Sequence, residues 1–117
     1  MFRLFAALLA FATSATAGGI DQQAALTALQ QPETVLIDVR TAEEFADGAM
    51  PGALRIEPHE ISRRIGSVAP DKNTTIVLYC RTGRRSGGAQ ETLQKLGYRE
   101  VINAGGFDDF SELVQAR

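Results

Sequence analysis

The single cysteine of the chain, Cys80, follows an apolar run and precedes a short loop that is rich in arginine. Arg81, Arg84 and Arg85 come within five residues of it, with Gly83 among them, and a helical pattern begins directly afterwards. A cysteine is nucleophilic as the thiolate, and nearby cations or a helix N-terminus lower its pKa from about 8.5. The N–H groups of a tight loop that enters a helix also converge on one point. The pattern therefore predicts a reactive thiol in an anion-binding loop.

A lone cysteine has other interpretations. It can be a buried, inert residue that packs like a small apolar side chain, or it can bond to a cysteine of another chain. An internal disulfide is excluded because the sequence has one cysteine. The arginines and the glycine around Cys80 favour the nucleophile.

The spacing of the loop bears on which anion it binds. Phosphatases of the cysteine type have an arginine six positions after the cysteine, where this chain has Ser86. The arginines here fall earlier, so the loop is one residue shorter. A smaller loop suits one sulfur atom on Cys80 better than a phosphoryl group, which makes a phosphatase or an arsenate reductase the less favoured alternative.

Further polar residues follow an apolar run at positions 35–37. Asp38 and Arg40 stand where that predicted strand ends, and ligands collect at the carboxyl ends of strands in open α/β sheets. We expect Arg85 to pair with a carboxylate such as Asp38, so that Asp38 and Arg40 support the loop first and contact substrate second. His59, the only histidine, is predicted to lie on the surface. No His, Cys, Asp and Glu residues have metal-ligand spacing, so we expect no metal and no cofactor.

Strand-like and helix-like segments alternate along the chain. Short apolar runs of the type buried on both faces alternate with helical patterns, which predicts an α/β fold with a mainly parallel sheet of four to five short strands and helices on both faces. Thr41 and Glu44 form a capping-box pattern at the start of one helix. The expected strands are 35–37, 53–56, 76–78 and 101–102. Five helices are expected: one from Asp21 to about Gln30, one that begins at Thr41, one that begins at Pro58, one from the loop to Gly97, and one that follows a break at Gly105–Gly106. The residues expected to face inward from the last three helices are Ile61, Ile65, Val68, Ala89, Leu93, Leu96, Phe107, Phe110, Leu113 and Val114.

The first residues have the features of an export signal. Met1–Arg3 is cationic, Leu4–Ala12 is apolar, and Ala15–Ala17 is a small-residue cleavage pattern. The apolar stretch is shorter than the roughly 20 residues that span a membrane. We therefore expect residues 1–17 to be cleaved, no membrane anchor thereafter, and a single periplasmic domain over residues 18–117.

The charge of the expected mature chain limits its partners. With Arg3 removed, 11 basic residues oppose 14 acidic ones, a net charge of −3. This balance gives no reason to expect binding to nucleic acid or to an anionic membrane. Nothing in the composition demands a dimer, and we expect a monomer.

The segment Cys80–Ser86, which reads Cys-Arg-Thr-Gly-Arg-Arg-Ser, resembles the C-x-x-G-x-R active loop of the rhodanese-like sulfurtransferases. Three further segments are similar to that family: Ile37–Arg40, Met50–Ala53 and Asn103–Gly106. The resemblance covers nearly all of the expected mature chain. With its export signal, the chain resembles the small periplasmic single-domain thiosulfate sulfurtransferases of the phage-shock type.

The resemblance implies a reaction in two steps. Cys80 would take the outer sulfur of thiosulfate, release sulfite, hold the sulfur as a persulfide, and pass it to cyanide or to a thiol. It also implies a role in substrate binding for Arg81, Thr82, Gly83, Arg84, Arg85 and Ser86. Many family members have His where this chain has Ala49. An alternative function is a persulfide carrier or sensor whose basic loop docks an acidic protein partner.

Overall fold

The computed structural model describes residues 19–117. The predicted export signal, residues 1–17, lies outside the described residues. The described chain alternates helices and strands in the order α1 (Gln22–Leu29), β1 (Val35–Asp38), α2 (Ala42–Ala46), β2 (Leu54–Arg55), a 3₁₀ turn (Pro58–Glu60), α3 (Ile61–Val68), β3 (Thr75–Cys80), α4 (Arg84–Lys95), β4 (Glu100–Gly106) and α5 (Phe107–Ala116).

The four strands form one parallel sheet in the order β2-β1-β3-β4. Helices cover both of its faces. The cluster under α3 and α4 contains Ile37, Ile76, Leu78, Ile61, Ile65, Ala89 and Leu93. The cluster under α1 and α5 contains Leu36, Val77, Tyr79, Ala25, Ala28 and Phe110. The predicted α/β fold with a parallel central sheet is confirmed.

Local capping signals are confirmed where the sequence showed them. Asp21 Oδ1 accepts a hydrogen bond from Ala24 N (3.0 Å) at the start of α1. At the start of α2, Glu44 N donates to Thr41 Oγ1 (3.2 Å) and Thr41 N donates to Glu44 Oε1 (2.9 Å), a complete capping box.

Three predicted details are wrong. The helix expected from Pro58 begins as a 3₁₀ turn and becomes α-helical at Ile61. Leu96, expected to face inward, is 39% exposed because α4 ends beside it. β4 is longer than expected and includes the two glycines that were interpreted as a break, Gly105 and Gly106.

The glycines at the end of β4 are explained by crowding against other segments. A Cβ on Gly106 would lie 2.5 Å from the carbonyl oxygen of Arg81, and one on Gly105 would lie 3.0 Å from Cγ2 of Ile20. The end of β4 therefore passes directly beneath the loop that follows β3. The pairing between β3 and β4 shifts register between Leu78 and Cys80, which places Cys80 opposite Gly106.

Candidate active site

The loop that follows β3 turns back on the sulfur of Cys80. Gly83 has φ +100°, in the left-handed region that favours glycine, and immediately precedes α4. In this conformation Gly83 N donates a hydrogen bond to Cys80 Sγ over 2.9 Å. A Cβ on Gly83 would lie 2.7 Å from Cδ1 of Ile20 and 3.1 Å from Cα of Gly105, so a larger residue would require Ile20 to move and would be strained at this φ.

The electrostatics of the loop favour the thiolate. Cys80 has no exposed surface, and this burial raises its pKa. Hydrogen bonds from the Ser86 hydroxyl and from the N–H groups of Ser86, Gly83 and Thr82 lower it by more, so the net pKa of Cys80 lies below its usual value. A thiol with a lowered pKa at the bottom of a loop can act as a nucleophile.

Ser86 and Asn103 extend the hydrogen-bond network around the sulfur. Ser86 Oγ lies 3.4 Å from Cys80 Sγ and 2.7 Å from Asn103 Oδ1. Asn103 Nδ2 donates to the carbonyl oxygen of Gly83 over 3.0 Å, and both Ser86 and Asn103 are fully buried. Sequence reasoning placed Ser86 in the loop but assigned no role to Asn103. The available signal was a polar residue in the interior of β4, between apolar residues on one side and alanine and glycines on the other.

Three of the loop residues form its exposed surface. Arg81, Thr82 and Arg84 are exposed, and the guanidinium groups of Arg81 and Arg84 have no hydrogen-bond or ion-pair partner among residues 19–117. By contrast, Arg40, Arg55 and Arg85 are all paired with carboxylates. Two unpaired cations at the rim of a buried thiolate give the loop a local positive field.

Arg85 pairs with Glu44, and the predicted pairing with Asp38 is wrong. Arg85 Nη1 and Nη2 donate to Glu44 Oε1 and Oε2 over 3.0 and 3.1 Å. Arg85 lowers the pKa of Glu44 to about 2, and Glu44 in turn raises the pKa of Arg85. This ion pair connects the first turn of α2 to the first turn of α4.

Asp38 is unavailable to Arg85 because it is engaged by Arg40. Arg40 Nε and Nη2 contact the Asp38 carboxylate at 3.0 and 2.7 Å, and the guanidinium stacks 4.3 Å from the centre of the Phe107 ring. Burial lowers the pKa of Arg40, but the hydrogen bond and charge of Asp38, together with the nearby Tyr79 and Glu44, raise it by more. Asp38 is fully buried and Arg40 is 5% exposed. We infer that both have a structural role, since neither presents a surface to a substrate.

The segment between α2 and β2 is held against the sheet at two points. Arg40 Nη2 donates to the carbonyl oxygen of Gly48 (2.7 Å), and Met50 N donates to Tyr79 Oη (3.0 Å). Ala49, where the resemblance noted above implies a histidine in many proteins, lies between these two contacts. The backbone of this segment is thus held without any contribution from a histidine.

Three further features concern the described part of the chain outside the loop. His59 has an exposed side chain (73%), as predicted. Across residues 19–117, no group of three or more His, Cys, Asp and Glu residues is arranged to hold a metal ion. Within the same range, no helix is both long enough and apolar enough to cross a membrane.

Comparison with known proteins agrees with this geometry. The family model described as "Rhodanese-like domain" matches residues 21–113. The chain belongs to the rhodanese-like domain family. It is similar to thiosulfate sulfurtransferase PspE of Escherichia coli (strain K12), with 44% identity over 75 residues that cover 64% of this chain and 72% of that protein. It is also similar to a putative mitochondrial thiosulfate sulfurtransferase of Schizosaccharomyces pombe, with 34% identity over 72% of this chain and 68% of that protein.

Solved structures show the same fold. A structure described as a rhodanese with anions from E. coli superposes with a TM-score of 0.63 at 43% identity, over 65% of this chain and 89% of that chain. The human single-domain sulfurtransferase TSTD1 superposes with a TM-score of 0.65 at 26% identity, over 77% of this chain and 91% of that chain. Both superpositions agree with the parallel sheet and the flanking helices described above.

Proposed function

We propose that the protein is a thiosulfate sulfurtransferase that carries sulfur as a persulfide on Cys80. The observation that carries the proposal is the buried Cys80 Sγ, which accepts a hydrogen bond from Gly83 N (2.9 Å) in a loop that lowers its pKa. Relatives named thiosulfate sulfurtransferase in E. coli and thiosulfate:glutathione sulfurtransferase in Saccharomyces cerevisiae support the choice of donor and reaction.

The reaction has two balanced steps. In the first, the Cys80 thiolate attacks the outer sulfur of thiosulfate, the Sγ–S bond forms, and the bond to the inner sulfur breaks. The electron pair leaves with sulfite, and Cys80 becomes a persulfide anion. In the second, cyanide or a thiolate attacks the outer sulfur, which leaves as thiocyanate or as a new persulfide, and the Cys80 thiolate is restored. Covalent catalysis of this kind divides one transfer into two easier steps.

The loop supplies positive charge and hydrogen-bond donors for both steps. Thiosulfate, sulfite and cyanide are anions, and Arg81 and Arg84 give the rim the charge that attracts them. The N–H groups of Thr82, Gly83 and Ser86 stabilise negative charge on sulfur at its base. Arg85 contributes to the shape of the loop through Glu44. We assign the binding role to Arg81, Thr82, Gly83, Arg84 and Ser86 on this basis.

The test is a measurement of intact mass after incubation with thiosulfate. We expect the protein to gain one sulfur atom, to lose it on addition of cyanide, and to show no gain in the Cys80→Ser variant. If Cys80 alkylates readily with iodoacetamide and yet gains no sulfur from thiosulfate, the donor is wrong. If the persulfide forms but only a protein thiol removes it, the protein is a persulfide carrier and not an enzyme of the cyanide or small-thiol type.

We further propose that residues 1–17 are a cleaved export signal, that residues 18–117 are the mature domain, and that this domain acts as a monomer in the periplasm. The cationic start, the apolar segment and the small-residue cleavage pattern support export. The family match begins at residue 21, beyond the expected cleavage point. Intact mass and light scattering of protein from a periplasmic extract test these statements, and a retained N-terminus or a dimer mass would contradict them.

A further inference from the structure

We propose that Asn103 is a positioning residue for Cys80. Its side-chain oxygen and the sulfur of Cys80 compete for the single hydroxyl proton of Ser86. The proposal rests on the proposed function only in taking Cys80 as the nucleophile. Asn103 is fully buried and makes three hydrogen bonds at the base of the loop: to Gly83 O (3.0 Å), from Ser86 Oγ (2.7 Å) and from Gly105 N (2.9 Å).

Two backbone groups fix the orientation of the Asn103 amide. The carbonyl of Gly83 can only accept a hydrogen bond, so it faces Nδ2 of Asn103. The N–H of Gly105 can only donate, so it faces Oδ1. With the amide rotated by 180°, Oδ1 would face the carbonyl oxygen of Gly83 and Nδ2 would face the N–H of Gly105, so neither hydrogen bond could form. Oδ1, an acceptor, is therefore the atom next to the Ser86 hydroxyl.

Ser86 then has two acceptors and one proton. Its oxygen lies 2.7 Å from Asn103 Oδ1 and 3.4 Å from Cys80 Sγ. A neutral sulfur is a weak acceptor, so the proton belongs to Asn103 when Cys80 is a thiol or when its Sγ is bonded to a second sulfur. A thiolate is a charged acceptor, and such hydrogen bonds are roughly twice as strong as neutral ones, so the proton turns to Sγ.

This exchange follows the charge on Sγ through the cycle. Sγ is charged before each sulfur uptake and uncharged while it carries the persulfide, whose charge lies on the outer sulfur. A rotation of the Ser86 O–H bond changes partner without moving a heavier atom. In the persulfide state, Sγ is uncharged and Asn103 accepts the hydrogen bond of the Ser86 hydroxyl in its place. Asn103 therefore stabilises the persulfide state relative to the thiolate and favours the formation of the Sγ–S bond.

The experiment is a comparison of Ser86→Ala in three backgrounds: wild type, Asn103→Ser and Asn103→Asp. The readout is the pKa of Cys80, from the pH dependence of its alkylation by iodoacetamide. Ser at position 103 has a shorter side chain, which withdraws the acceptor from Ser86 and also removes the Nδ2 donor to Gly83 O. Asp keeps the shape and, when ionised, is a stronger acceptor for the Ser86 hydroxyl, but it replaces the Nδ2 donor to Gly83 O by an oxygen. Urea unfolding confirms that each variant is folded.

We expect Ser86→Ala to raise the pKa of Cys80 most in the Asn103→Ser background, less in wild type and least in Asn103→Asp. The difference between the first two is roughly 0.5 pKa unit, about one neutral hydrogen bond expressed on that scale. Should Asn103→Ser fail to fold, the comparison of wild type with Asn103→Asp keeps the same predicted order.

An equal rise in the folded backgrounds, or the reverse order, would overturn the proposal and leave Asn103 as a scaffold residue. Because alkylation needs neither thiosulfate nor an acceptor, this result is independent of whether sulfur transfer occurs.

Discussion

At the scale of single residues, the thiolate of Cys80 is stabilised mainly by neutral N–H and O–H donors. The guanidinium group of Arg85 binds Glu44 instead of the sulfur, and those of Arg81 and Arg84 are exposed at the rim. The N–H of Gly83 is one of these donors, after the hydroxyl and the N–H of Ser86, and its direction depends on a backbone conformation that other residues rarely adopt.

Gly83→Ala is expected to raise the pKa of Cys80 and to slow persulfide formation from thiosulfate by roughly tenfold or more, because the loss of one hydrogen-bond donor to a developing or stored charge has effects of this order. The added Cβ would be strained at φ +100° and would meet Ile20. The rate of sulfur uptake and the pH dependence of Cys80 alkylation measure the effect.

Gly88→Ala is the matched control for Gly83→Ala. Gly88 lies in α4 at an exposed position with no atom within 4 Å of an added Cβ. The Gly88→Ala substitution should stabilise the protein by about 0.5–1 kcal/mol and leave the pKa of Cys80 unchanged. Equal effects of the two substitutions on that pKa would contradict the role given to Gly83.

At the scale of elements, the active loop is held by α2 through one carboxylate. Glu44 completes the capping box of α2 with Thr41 and also binds Arg85 at the start of α4. The same side chain thus stabilises a short helix and fixes its position relative to the loop. A helix of five residues gains little stability from its own hydrogen bonds, so such external contacts matter.

Glu44→Gln is expected to destabilise the protein by about 0.5–1 kcal/mol at neutral pH, the range for a partly exposed ion pair. Gln still satisfies the capping box, so the loss reports on Arg85. The folded-state pKa of Glu44 is lowered from 4.5 to about 2. The stability from this pair is therefore present above about pH 4.5 and disappears as the pH falls towards 2.

Urea unfolding of both proteins between pH 6 and pH 2.5 measures this difference, which should shrink as the pH falls. Glu43→Gln is the control, because Glu43 lies exposed in the same turn with no ion pair to the described residues. A difference between wild type and Glu44→Gln that stays constant down to pH 2.5 would show that Arg85 does not stabilise the charged carboxylate.

The ion pairs show how far the sequence could predict the site. From its position at the end of the loop, Arg85 was predicted to pair with a carboxylate; the carboxylate suggested was Asp38, and the partner is Glu44. Arg40 lies two residues after Asp38 and reaches back to it, whereas Glu44 and Arg85 are 41 positions apart. Periodicity and capping signals predict local contacts. Which distant residues meet depends on how the helices pack on the sheet, and that is determined by the whole core.

Asn103 illustrates the same limit within β4. The loop itself was predicted from the thiol, the arginines and the glycine, because these residues are adjacent in sequence. Asn103 forms hydrogen bonds with Ser86, 17 positions away, and with Gly83, 20 positions away. The glycines after Asn103 were interpreted as a break, because the close approach of the Arg81 carbonyl that requires a glycine cannot be seen in one strand alone.

At the scale of the whole molecule, an acidic protein presents a basic rim to its substrates. The expected mature chain has a net charge of −3, while Arg81 and Arg84 are exposed and unpaired beside the thiolate. The general field of such a protein repels anions, and the local field of the loop attracts them over about one Debye length.

The double variant Arg81→Ala with Arg84→Ala is expected to lower kcat/KM for thiosulfate by roughly tenfold at low ionic strength and to reduce its dependence on salt. Initial rates from 10 mM to 500 mM salt measure both effects. Arg63→Ala is the control, since Arg63 is 71% exposed on α3 and makes only a long contact with Glu60 (3.8 Å). A loss that is independent of salt, or an equal loss in the control, would contradict the electrostatic role.

The complete burial of Cys80 also prevents a disulfide between two copies of the chain. A reactive thiolate exchanges readily with disulfides and can be linked to a second copy of its own chain by oxidation. A disulfide requires two sulfur atoms about 2.05 Å apart. Two copies of this loop cannot bring their sulfur atoms that close while each Sγ lies beneath its own backbone. The burial of Sγ in this loop therefore protects the protein from covalent dimerisation in oxidising surroundings.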